Sequence, residues 1–514
     1  MLKIYFLLFV SYVFILSLKS NDGFPTTIKH GNFFPYIIDK PFTEDGFYMM
    51  TVAWNIAEGN GIKYNLNRPT TGVQPLVTFI QAVIAKIVLM FEGDKIVFLR
   101  IMIIFSALLL FLFSLVTGGV VQKIIPGLYS QTITIFLVLF SFDLLEYFAN
   151  GLETGFYLLM IAVCINCSFH FIDKPGFKSA LIFGAFAGIT ALTRVDFLLP
   201  LFFYLLFLFV FNRISLAKLI LILAIAVILL LPWLVYVYNV SGSVFPSSVS
   251  SHTIMVDSLT FSERLSYILI SLFNHLTPFL YTHNLFISAA FTVINGIIFW
   301  YLIKRLKFFD APDKFAFKNL LYWGISFLFL VITYFVYSNA QHFYIRYTTP
   351  LYFFVFLFAV CCVLFILNKI QDLYKKLVLT SFVLFFFAQS YYYLFNGKLA
   401  NHLALRIAYI ENNFDNSERI GLFQSGVTGF FLNNVINLDG KVDHVVQQYA
   451  FNKNFEAFLD SMKVNVVIEW RNDFNVNVDE KYFSEHWKLL EKDIGDGTTA
   501  CFVRIALKTS APSR

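Results

Sequence analysis

Several ionisable side chains stand at the ends of long apolar runs: Asp39, Glu44, Asp45, Glu58, Glu153, Arg194, Asp196 and Arg346. A carboxylate in such a place can take a proton. A guanidinium there can grip an anion through two N–H donors. For Asp39, Glu58 and Arg264 an ordinary interfacial role is the plainer reading, but Glu44-Asp45 has more built around it. The pair opens Glu44-Asp45-Gly46-Phe47-Tyr48, and Trp54–Gly61 and Thr70–Leu76 follow. This spacing predicts a helix with an aromatic face, ended by Gly59 and Gly61. A Thr-Thr-Gly turn comes next, then a helix begun by Pro75. Such a loop holds a carboxylate against the bilayer edge, within reach of a lipid head group.

The elements that must hold these residues are membrane helices. Of 514 residues, 58% are hydrophobic and 14% charged, with 65 Phe and 27 Tyr; soluble domains carry about 25% charged residues. That balance excludes a disordered, collagen-like or nucleic-acid-binding chain. Charge is uneven: residues 1–395 hold 25 Lys+Arg and 17 Asp+Glu, residues 396–514 hold 13 and 15. The expectation is a transmembrane domain over 1–395 and a soluble domain over 396–514. Cys164 and Cys167 share one apolar run, Cys361 and Cys362 another, and Cys501 is in the tail. This is neither a disulfide framework nor a zinc spacing.

Twelve apolar runs are candidates to span, near 2–18, 74–91, 98–120, 130–148, 154–171, 179–193, 197–212, 217–238, 284–303, 319–338, 347–368 and 375–393. Alternate connections carry the cations: Lys123; Lys174 and Lys178; Arg213 and Lys218; Lys304 to Lys318; Lys369, Lys375 and Lys376. Positive charge marks the cytoplasmic side. With a cytoplasmic N-terminus the cation-rich loops fall inside only if one run does not span. The run at 74–91, with Gln74, Gln81 and Lys86, is the weakest and reads as a juxtamembrane helix. Eleven spans follow, with 19–97 as the first extracytoplasmic loop and an extracytoplasmic tail. In the tail, Ile420–Phe423, Val435–Leu438 and Val464–Trp470 read as strands, Asn454–Lys463 as a helix, and Asp439-Gly440 and Asp496-Gly497 as turns. A small α/β domain is expected.

The motifs resemble the GT-C superfamily of integral-membrane glycosyltransferases, most of all its bacterial mannosyltransferase- and aminoarabinose-transferase-like members. Glu44–Met49 is similar to the family's D-D-A-Y-Y-Y, Asn55–Gly61 to N-I-A-x-G-x-G, and Thr70–Leu76 to T-N-G-x-x-P-L. In order along the chain, Asn150–Thr154 is similar to G-M-E-T, Arg194-Val195-Asp196 to R-x-D, and Gly242–Ser248 to a G-x-P-x-P-x-S loop. Tyr344–Pro350 is similar to R-Y-x-x-P and Asn437–Gly440 to N-L-D-G. Departures are Glu44 for the first Asp, Thr71 for Asn, and Gln74 for the common His or aromatic.

The resemblance implies a GT-C fold and a polyprenyl-phosphate-linked sugar as donor substrate. The sugar passes to a hydroxyl acceptor, a lipid, glycan or protein, on the outer face of the bacterial inner membrane. It implies Asp45 as the base, with Glu44 as the alternative carboxylate. It suggests Arg346, Arg194 and His252 as ligands of the donor phosphate, and Glu153, Asp196, Tyr48 and Gln74 as supporting residues. A structural role for Arg194, bridging Glu153 or Asp45, is the slightly favoured alternative, and a lone loop histidine such as His252 is usually just solvated. No metal ligand set is expected, although a divalent cation between Glu153 and Asp45, as in oligosaccharyltransferase-like relatives, is a candidate cofactor. The competing class is a transporter or flippase of lipid-linked glycans, which would place ionisable residues and broken helices at the bilayer midplane.

Overall fold

The computed structural model describes residues 5–8, 10–11, 42–65, 68–127, 129–254, 259–280, 285–306, 313–339, 344–396, 402–452, 454–470, 479–495 and 497–505. Most of the run at 2–18 and all of 19–41, Asp39 included, lie outside these. The first loop gives α1 (Glu44–Glu58) and α2 (Pro75–Met90). Thr43 caps α1, accepting the Gly46 N–H, and Glu44 and Asp45 occupy the first turn, where the helix dipole favours negative charge. Gly59, at φ +91°, ends α1 in the left-handed conformation that glycine adopts without strain. With 16 residues, α2 is shorter than the roughly 20 that a spanning helix needs.

The bundle is built from α3 (Lys95–Ile124), α4 (Ser130–Leu139), α5 (Phe142–Ala149), α6 (Thr154–Asp173), α7 (Phe177–Thr193) and α8 (Leu198–Val210). It continues with α9 (Leu216–Ser241), α10 (Ser247–Ile254), α11 (Phe261–His275), α12 (Leu285–Leu306), α13 (Lys314–Tyr337), α14 (Tyr344–Leu367) and α15 (Asp372–Asn396). Among the described residues six helices are long and apolar enough to cross a membrane. The expected single span at 130–148 is instead a pair, α4 and α5, bent by 64°, which as one span makes seven. Ser141 takes an extended backbone at the break, and Asp143 in the new first turn accepts a hydrogen bond from the Tyr352 hydroxyl at 3.2 Å. The runs at 179–193 and 197–212 form the shorter apolar helices α7 and α8.

Small residues let the bundle close. A Cβ on Gly188 of α7 would lie 2.8 Å from Leu229, and one on Gly184 would lie 3.1 Å from the Ile222 carbonyl. The Gly184–Gly188 step therefore lets α7 lie directly on α9. Some polar groups inside the bundle are paired across helices, as an apolar solvent favours. Ser168 accepts from Asn319 and Trp323, each at 3.1 Å.

The bundle has two ends, separated by α3. Its 30 residues rise about 45 Å. At one end Lys95 Nζ donates to the Phe430 carbonyl of the tail. At the other, the Ile124 carbonyl accepts from Asp313 N at 2.7 Å, Lys123 reaches Asn166 and Lys218 reaches the Pro175 carbonyl. The connections at Lys123, at Pro175 and Lys218 and at Asp313 thus lie away from the tail.

The tail folds around a sheet of five strands in the order β2-β1-β3-β5-β4, with β1 Ile420–Leu422, β2 Val435–Asn437, β3 Val466–Trp470, β4 Trp487–Glu491 and β5 Thr499–Arg504. β1 pairs parallel with β2 and β3; β5 pairs antiparallel with β3 and β4. Side chains alternate between two apolar layers, Val467 and Phe502 on one face, Val466, Ile468 and Val503 on the other. The first three strands and the helix at Phe455–Ser461 lie where the sequence suggests, whereas β4 and β5 escape it. β4 is a short edge strand whose Lys488 to Glu491 are exposed, so no apolar alternation marks it.

Candidate active site

Asp45 enters from the first turn of α1. That turn sits on the loop between α5 and α6. Thr43 N donates to the Asn150 carbonyl at 3.0 Å, and a Cβ on Gly46 would lie 2.7 Å from the same oxygen. Gly46 is therefore required for close approach. The loop turns at Gly151, with φ +79°, and delivers Glu153, 1% exposed. Asp45 and Glu153, far apart in sequence, are joined by Arg346 from the first turn of α14. Arg346 donates to Asp45 Oδ2 at 3.2 Å and to Glu153 Oε1 and Oε2 at 3.1 and 2.9 Å.

The chain of ion pairs continues to Arg194. Its backbone is extended where α7 ends, which turns the side chain back toward Glu153 Oε1 at 3.3 Å. Asp196, in the following single-turn helix, takes two of the Arg194 donors, the closer at 2.7 Å. The Tyr334 hydroxyl donates to Asp196 and accepts from Arg194 Nη2, and Tyr334 stacks on Tyr347 with centroids 4.9 Å apart. The Arg194 guanidinium lies over the Tyr157 and Tyr347 rings. It is fixed from every side, as a positioning group is. Arg346 Nε is buried and has no hydrogen-bond partner among the described residues.

The other face of Asp45 belongs to the tail. Lys441 Nζ lies 3.2 Å from Asp45 Oδ1 and 3.5 Å from Asp439 Oδ2, over the Tyr48 ring. Burial alone lowers the Lys441 ammonium, but Asp45 and Asp439 outweigh it and raise it. Burial raises the Asp439 carboxyl, against the pull of Lys441. Tyr48 donates to Asp439 Oδ2 at 3.1 Å. Glu44 points away from Asp45's cations and accepts from Gly426 N and Val427 N. Burial pushes its carboxyl up to about 7, against those two amides.

Three loops grip Lys441. The Ser247 hydroxyl donates to the Lys441 carbonyl at 2.9 Å, and Thr71 Oγ1 accepts from Ser247 N at 3.1 Å. A Cβ on Gly72 would lie 1.8 Å from the Lys441 carbonyl oxygen. Lys441 N donates to Asp439 Oδ1 at 2.8 Å, and Gly440, at φ +72°, makes the turn. The Thr70–Gly72 turn, the start of α10 and the Asn437–Lys441 turn therefore meet at one point.

Of the residues singled out in the sequence, Asp45, Glu153, Arg194, Asp196 and Arg346 form one continuous ionic chain, and Tyr48 and Glu44 tie it to the tail. The bridge from Arg194 runs to Glu153. Gln74 precedes α2 with no side-chain capping bond and, among the described residues, stands outside the chain. His252 lies on α10, but its side chain is outside the described residues. No three of His, Cys, Asp and Glu are placed to hold a metal ion among the described residues. Arg346 already lies between Asp45 and Glu153, so these two do not fit a shared cation as they stand. Sequence reasoning missed Lys441, Asp439 and Tyr334; Asn437–Gly440 was the visible signal for the first two.

This bundle and its capping α/β tail share their overall fold with a solved membrane-protein structure. The chain is similar to ArnT from Cupriavidus metallidurans, whose crystal structure has undecaprenyl phosphate bound. The TM-score is 0.54 and identity 11%, over 98% of each chain. An Archaeoglobus fulgidus oligosaccharyltransferase, in complex with Zn and sulfate, gives 0.49 at 12% identity over 90% of this chain and 68% of that one. Archaeal oligosaccharyltransferase AglB from the same organism, with an inhibitory peptide and a dolichol-phosphate, gives 0.46 at 10% identity, over 99% and 75%. No protein-family model matches the sequence and no curated protein matches it.

Proposed function

We propose that this protein transfers a sugar from a polyprenyl phosphate to a hydroxyl acceptor at the outer face of the bacterial inner membrane. The observation that carries this reading is Asp45, held at the start of a loop helix between two cations, Arg346 and Lys441. The undecaprenyl phosphate named with ArnT supplies the donor class. A polyprenyl phosphate is a good leaving group and needs no general acid. The acceptor hydroxyl must lose a proton as it attacks, and we assign that proton to Asp45. Attack opposite the leaving phosphate inverts the anomeric carbon. Arg346 faces the developing charge at the water–lipid boundary, while Glu153, Arg194, Asp196 and Tyr334 fix its direction. No step is assigned to a metal ion.

Orientation follows from charge. The connections at Lys123 and Asp313 lie at the far end of α3, about 45 Å from the contact of Lys95 with the tail. The positive-inside rule then puts that end in the cytoplasm and the tail outside. Residues 1–395 would be the membrane transferase domain and 396–514 the extracytoplasmic cap. Deleting the gene and analysing surface glycans and lipid carriers by mass spectrometry tests the reading. One sugar is expected to vanish from the glycans while its polyprenyl-phosphate form accumulates. Unchanged glycans would sink the proposal; accumulation of the whole lipid-linked glycan on the inner leaflet would favour a flippase.

A further inference from the structure

The tail presents the carboxyl ends of its parallel strands to the membrane domain. The turn after β1 gives Phe423–Gly426, whose Phe423 carbonyl accepts from Tyr48 and whose Gly426 N–H meets Glu44. The turn after β2 gives Asp439 and Lys441. The sheet order reverses at β1, flanked by β2 and β3, and in open α/β sheets such an edge is where ligands lie. Here that edge is turned onto Asp45.

We infer that the tail is part of the catalytic centre and that Lys441 is a ligand of the donor phosphate. The inference rests on the transferase reading above. Lys441 is 16% exposed, is locked by contacts from Gly72 and Ser247, and already holds the carboxylate proposed as base. Charge balance gives it a task. The donor is a phosphodiester with one negative charge. In transfer, the acceptor oxygen bonds to the anomeric carbon, its proton goes to Asp45, and the carbon–oxygen bond to phosphate breaks with its electron pair on the phosphate. Asp45 becomes neutral and the phosphate gains a second charge. The total charge is unchanged, so the two cations freed from Asp45 are available to the leaving phosphate. Lys441 reaches it from the tail and Arg346 from the membrane domain, whose buried Nε–H has no partner among the described residues.

The test measures polyprenyl monophosphate binding to the purified full-length protein in lipid nanodiscs. Lys441→Met is expected to weaken binding at least ~10-fold, the loss typical of a charge-assisted hydrogen bond, while Lys441→Arg stays within a few-fold of wild type. Asp45→Asn, which removes the competing carboxylate, is expected to tighten binding. The double variant Asp45→Asn, Lys441→Met is expected to lose that gain. It also guards against a misfolded single variant, because it removes the Asp45 carboxylate that Lys441→Met deprives of one of its two cations. If wild type and Lys441→Met bind equally, or the double variant keeps the gain, Lys441 is not a phosphate ligand and the transferase reading survives. If wild type fails to bind the monophosphate at all, both readings fall.

Discussion

Glu44 gives a pH dependence with a defined sign. Its two carboxylate oxygens meet the Gly426 and Val427 amides of the tail, so its protonation is coupled to docking of the tail on α1. Burial raises its carboxyl from 4.5 to about 7 in the docked state, with Asp45 adding to the rise and the two amides and Arg406 opposing it. A raised value means that docking is favoured by the protonated form. The contribution is fully present below the ordinary carboxylate pKa and is lost as pH rises through about 7. That rise is worth at most about 3 kcal/mol. Glu44 keeps some contact with solvent, which screens the cost, so about 1–3 kcal/mol is expected. The assay is thermal unfolding of the protein in nanodiscs from pH 4.5 to 8, paired with limited proteolysis at the loop–tail junction. Wild type should lose stability across that window, and Glu44→Gln, neutral throughout, should flatten the slope; Asp439, raised in the same sense, leaves a residual one. An unchanged slope in Glu44→Gln, or a slope of opposite sign that Glu44→Gln removes, would refute the reasoning.

Gly72→Ala would place a Cβ 1.8 Å from the Lys441 carbonyl; overpacking of this kind costs about 1–3 kcal/mol. Turnover should fall at least ~10-fold while helical circular dichroism is retained, and normal turnover would show that the three-loop grip is dispensable. Glu153→Gln removes the charge between Arg194 and Arg346, leaving buried Arg194 and half-buried Arg346 each one partner short. With one acceptor oxygen kept, the cost is expected at about 2–4 kcal/mol, read as a fall in the unfolding midpoint, and an unchanged midpoint would count against the ionic chain as a structural unit.

The membrane half of the site was legible because its residues carry local signals. Glu44-Asp45 stands before a helix whose glycine stop is visible, and Glu153, Arg194 and Arg346 stand where apolar runs end. Their order along the chain says nothing of which meets which, since contacts such as Asp45 to Arg346 are fixed by helix packing. The tail's share was hidden for a stronger reason. Lys441 is one lysine in a charged domain, and its placement depends on Gly72 and Ser247, far away in sequence. The break at Phe140–Ser141 was obscured because hydropathy stays high across it. Only Ser141 and Asp143 hinted at a new helix start.

The most direct test of the account is Asp45→Asn in purified protein, assayed with a polyprenyl-phosphate sugar and scored for release of polyprenyl phosphate in the presence of acceptor. The account predicts turnover reduced ~10²-fold or more, as for loss of a general base, with polyprenyl monophosphate still bound. Turnover by Asp45→Asn at the wild-type rate would contradict it.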